Sequence, residues 1–167
     1  MKNMYFSFFV IASLFSTTLP ANADWQMTSW HMSVDELAAL NIARELPVEN
    51  QHNADSTLAR YVMPYPVQNI AMDAIFYFSE LDGTQKLTEV RLDVTNNSDC
   101  PWVLGMLRST YGSEERDSGG SILNYLIWRD SRNGNRVIYS VGVEEYSSLG
   151  CQITYQPIPE ANTSGGL

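Results

Sequence analysis

The side chains best suited to chemistry in this chain are its adjacent carboxylates, its two histidines and its two cysteines. Asp35–Glu36, Glu114–Glu115 and Glu144–Glu145 are each neighbours in sequence. Neighbours on a helix do not face one another, and neighbours on a strand point to opposite faces. None of these pairs therefore carries the spatial signature of two carboxylates flanking a glycosidic bond. His31 and His52 have no metal-ligand spacing to the cysteines, and no Gly-x-Ser-x-Gly elbow occurs. Asp117-Ser118-Gly119-Gly120-Ser121 is glycine-rich, but it lacks the lysine of a phosphate loop and the spacing of a dinucleotide loop. Asp82-Gly83-Thr84 lacks the ligand spacing of a calcium loop. These readings give no catalytic residue, no metal site and no cofactor; a protein without catalytic activity is expected, with an enzyme of unrecognised type as a further alternative.

Cys100 and Cys151 are the two cysteines of the chain. Two cysteines in an exported protein point to a structural disulfide. A loop of about 50 residues closed in this way contributes on the order of 4 kcal/mol in the chain-entropy model. Export itself is read from the first 23 residues: Lys2, an apolar run from Tyr5 to Leu19, and Ala21-Asn22-Ala23 as an exit. Basic start, short apolar core and Ala-x-Ala exit are the parts of a secretory signal peptide. Cleavage after Ala23 would leave one α+β domain over 24–158 and a tail over 159–167, in the periplasm or secreted. The apolar run is shorter than the roughly 20 residues of a membrane span, so no membrane insertion is expected after removal of the signal. The chain has 10 basic and 19 acidic residues, for a net charge of −9. That balance disfavours a nucleic-acid backbone and anionic lipid, and it favours a cationic partner at low salt.

The elements that would position these groups follow from pattern. Ser33 and Glu36 form a capping-box signature for a helix from Val34 to about Glu45, stopped by Pro47. Strands are expected over 59–66, 72–80 and 86–95. In the last, Val90, Leu92 and Val94 alternate with Glu89, Arg91 and Asp93, the signature of a half-buried strand. Pro101 starts a second helix and Gly112 ends it. Residues 114–120 read as a loop. Strands follow over 122–129, 136–143 and 151–158, the first two joined through Asn133-Gly134. The fold expected is α+β: two helix-plus-three-strand units forming a largely antiparallel sheet, with both helices on one face through Leu37, Leu40, Trp102, Val103, Met106 and Leu107. Trp25, Trp30 and Met32 would staple the N-terminus onto the core.

The segment Trp30-His31-Met32-Ser33-Val34-Asp35-Glu36-Leu37 resembles the Trp-x-Met-Ser/Thr helix start of small exported bacterial proteins of uncharacterised function, which often carry Gly where His31 stands. The repeated helix-plus-sheet outline is similar to the β-lactamase-inhibitor-protein architecture and to small outer-membrane assembly lipoproteins, although this chain has one possible disulfide and no lipidated cysteine. The second resemblance implies partner binding through a sheet face. The face opposite the helices would carry Ile75, Tyr77, Tyr125 and Ile127, tyrosines and apolar residues mixed with charge, as at binding surfaces. These four residues are the candidate binding site for another periplasmic or envelope protein. The alternative is a small-molecule site between sheet and helices near Trp30 and Trp102.

Overall fold

A computed structural model describes residues 24–51, 53–54 and 57–159. The signal-peptide reading, His52 and most of the expected tail lie outside the described residues. Within them the chain runs as a hairpin of β1 (Asp24–Trp25) and β2 (Thr28–Ser29), α1 (Val34–Leu40), β3 (Arg44–Glu45), β4 (Asn53–Ala54), β5 (Thr57–Pro64), β6 (Met72–Leu81) and β7 (Thr84–Val94). Then follow α2 (Cys100–Tyr111), β8 (Arg116–Gly119), β9 (Leu123–Asp130), β10 (Asn135–Gly142) and β11 (Cys151–Pro157).

The expected pair of balanced helix-plus-three-strand units is overturned. Apart from the β1–β2 hairpin, every strand joins one antiparallel sheet in the order β3-β5-β6-β7-β11-β10-β9-β8, with β4 also paired to β5. The last strand, β11, lies between β7 and β10 and joins the two halves of the chain into one sheet. One helix is substantial, the 12-residue α2; α1 has seven residues. Ser33 and Glu36 do form the capping box, but Asn41 turns left-handed at φ 53° and ends α1 at Leu40. Asn is among the few residues that tolerate that conformation. Residues 44–45, expected in the helix, instead pair with β5. Leu37 is the buried residue of α1, whereas Leu40 is 38% exposed and Trp102 of α2 is 70% exposed. Neither of these two covers the sheet as expected.

Period-two patterning explains the long strands. Met72, Ala74, Phe76 and Phe78 of β6 and Leu87, Val90, Leu92 and Val94 of β7 are buried in one core. Asp82 and Gly83 link these strands with φ of 51° and 74°. Positive φ at both central residues is what a type I′ hairpin demands. Cys100, Val103 and Leu107 give α2 a buried stripe at helical spacing. Cys100, at the start of α2, is bonded to Cys151, at the start of β11, with Cα atoms 5.8 Å apart. The Tyr139 hydroxyl of β10 donates to the Cys100 carbonyl oxygen at 3.1 Å, a second tie at the same corner. Trp25 and Trp30 are buried in the core, Trp30 donating to Asn135 Oδ1 at 2.8 Å.

Candidate functional site

The sheet face turned away from the core is built from the alternate residues of each strand. Register makes its rows explicit. One row runs Ile75, Arg91, Thr154, Ile138, Ile127 and Arg116 across β6, β7, β11, β10, β9 and β8. The next runs Asp93, Gln152, Ser140, Tyr125 and Ser118 across β7 to β8. Part of this face folds into a groove of about 480 Å³, shared by five strands from β7 to β8. In a flat sheet those outer strands stand about 19 Å apart, from the usual strand spacing. Glu89 of β7 and Arg116 of β8 mark the two ends of the groove's lining.

The groove has an apolar centre and polar walls. Tyr125, Ile127 and Ile138 are half-buried there, and the nearly covered hydroxyl residues Ser140 and Thr154 belong to the same lining. On the β7 side Gln156 Nε2 donates to Glu89 Oε2 at 2.9 Å. Arg116 stands at the far edge on β8 and Arg136 on β10 directly across from Gln156; neither forms an ion pair or side-chain hydrogen bond among the described residues. Arg129, in register with Arg136, is 3.9 Å from the Glu115 carboxylate, and both are well exposed. Such a pair is worth little.

The four residues expected to form a binding face do not come together. Tyr125 and Ile127 line the groove. Ile75 shares a row with Ile127, but Arg91, Thr154 and Ile138 stand between them. Tyr77 is only 2% exposed. The Arg91 guanidinium lies 4.9 Å from the Tyr77 ring centroid, and Asp93 fixes that guanidinium through hydrogen bonds of 2.7 and 3.1 Å. Burial pushes the Tyr77 hydroxyl up to about 12, against a smaller opposing effect of Arg91. Tyr77 is thus part of the packing and not an offered anchor. Arg116, Arg136, Gln152, Thr154 and Gln156 were not foreseen as site residues. The strand parity of the last four was readable, but Arg116 fell in an expected loop, and the insertion of β11 between β7 and β10 was not readable.

A second concavity, of about 380 Å³, lies between α2 and the core face of the sheet. It corresponds to the alternative site expected between sheet and helices, but neither Trp30 nor Trp102 lines it. Among the described residues no cluster of three or more His, Cys, Asp and Glu side chains could hold a metal ion. Nor is any helix among them long and apolar enough to cross a membrane. Comparison with protein-family models, with curated proteins and with solved structures returned no match.

Proposed function

We propose that this chain is an exported, non-catalytic binding protein that docks another periplasmic or envelope protein on its open sheet face. The observation that carries the reading is the five-strand groove, with Tyr125, Ile127 and Ile138 at its centre, Arg116 on its β8 edge and Arg136 on β10, neither arginine having an ion partner among the described residues. Half-buried aromatic and aliphatic anchors surrounded by hydrogen-bonding side chains match the make-up of protein interfaces. Two arginines against the single Glu89, itself held by Gln156, select a partner segment with carboxylates. An extended acidic segment fits best, because its alternating side chains can meet successive rows of the groove. The disulfide and the leader-like first 23 residues support export.

The test is affinity capture from envelope extract with the tagged, oxidised protein and with an Arg116→Ala/Arg136→Ala variant. The expected result is one dominant partner, released by added salt and weakened about tenfold or more in the variant. A partner held equally by wild type and variant contradicts docking at the groove.

A further inference from the structure

A second chamber of about 340 Å³ adjoins the cavity beneath α2, and Tyr65, Tyr111 and Tyr155 line both. The chamber beneath α2 is walled largely by apolar side chains, among them Met72, Leu92 and Ile153 of the sheet and Val103 and Met106 of α2. The adjoining chamber adds Trp25 to the three tyrosines and brings in Asp130. Trp25 lies 5.1 Å from the Tyr65 ring and 6.1 Å from the Tyr155 ring, centroid to centroid. Gln26 Nε2 donates to the Tyr65 hydroxyl at 2.6 Å, and Gln26 takes a positive φ of 55°. The turn between β1 and β2 thereby sets an amide on the rim of the chamber.

Charge decides what such a chamber accepts. Among the described residues lining the two chambers there is no Lys, Arg or His; Asp130 is the one charged side chain. Its carboxylate accepts from Asn133 N at 3.2 Å and from Asn133 Nδ2 at 2.7 Å, hydrogen bonds that orient it, and it forms no ion pair among the described residues. Burial, with the neighbouring Tyr111 hydroxyl, pushes the Tyr155 hydroxyl well above its ordinary range, so the rings stay neutral. Neutral aromatic faces next to one carboxylate repel an anionic head group and attract a cation. The chain's net charge of −9 draws cations toward the molecule as a whole.

We propose that this two-chambered cleft binds an amphipathic organic cation, an alkyl- or aralkyl-ammonium compound. Its ammonium sits among Trp25, Tyr65, Tyr111 and Tyr155 beside Asp130, and its apolar tail enters the chamber under α2. The site is separate from the groove on the opposite face, so it stands or falls independently of the docking reading.

The experiment is calorimetric titration of the purified protein with decyltrimethylammonium, butyltrimethylammonium and decanoate, each below its micelle concentration. Decyltrimethylammonium is expected to bind, more tightly than the butyl compound by about fourfold for each added methylene that is buried, while decanoate does not. Asp130→Asn and Tyr65→Leu should each weaken the cation about tenfold. Met106→Trp should remove the advantage of the longer tail. Backbone amide shifts in the unmutated protein provide a readout that no folding defect can obscure, and they should centre on Gln26, Tyr65 and Tyr111. Equal or tighter binding of decanoate, no binding of any probe at millimolar concentration, variants that bind as wild type, or shifts centred on Tyr125 would each overturn the proposal.

Discussion

Tyr77 and Tyr125 lie on the same sheet face and differ in what covers them. Tyr77 is sealed beneath Arg91, whereas Tyr125 stands in the groove. Truncating a buried aromatic ring costs about 3–5 kcal/mol. Tyr77→Ala should therefore shift urea unfolding by that amount, and Tyr125→Ala by less than half of it. Equal losses would mean that the groove residue is structural as well. The same burial makes alkaline pH informative. Tyr77 and Tyr139 are both raised to about 12, chiefly by burial. In the unfolded chain each loses its proton near the ordinary value of 10, so the unfolded state binds fewer protons above that pH. Their contribution to stability is complete below about 10 and is lost as pH rises through about 12. Denaturant midpoints should fall over that window, and Phe at either position should flatten the fall. A midpoint independent of pH between 9 and 12 would show that neither hydroxyl is as enclosed as its surroundings indicate.

At the level of elements, the joint between α2 and β11 holds the sheet's central strand to the helix that covers it. Cys100 and Cys151 are 51 residues apart, for which the chain-entropy model gives about 4 kcal/mol. Reduction should lower unfolding free energy by roughly 2–5 kcal/mol, read as urea transitions with and without reductant; an unchanged midpoint would place the stability elsewhere. The alternation of Val90, Leu92 and Val94, the Ser33–Glu36 box and the cysteine pair were legible because each is a local or compositional signal. The stop at Asn41 was missed because a helical pattern continues past it, and a left-handed Asn ends a helix without announcing itself. β8 was hidden in a polar, glycine-rich stretch because a short edge strand needs no apolar alternation. Pairing of β11 with β7 joins residues about 60 apart in sequence, and no local pattern specifies a partner at that range. The groove inherits that gap: Tyr125 and Ile127 could be singled out by type and parity, but their neighbours Thr154 and Gln152 come from a strand whose place only the tertiary fold sets.

At the scale of the whole molecule, one sheet separates two concavities of different character. The groove on the outer face combines an apolar centre with two arginines, while the cleft on the core side combines aromatic rings with a carboxylate. Arg116 and Arg136, without an ion partner among the described residues, give an acidic protein a local field opposite to its net charge, and local fields govern docking once salt screens the rest. The most direct measurement is site-specific photocrosslinking in intact envelope, with benzoylphenylalanine at Ile127 in the groove or at exposed Trp102 on α2. Docking at the groove predicts one discrete adduct from position 127, none from 102, and loss of that adduct when Arg116→Glu and Arg136→Glu are added. Equal adducts from both positions, or an adduct from 127 that survives the charge reversal, would contradict it.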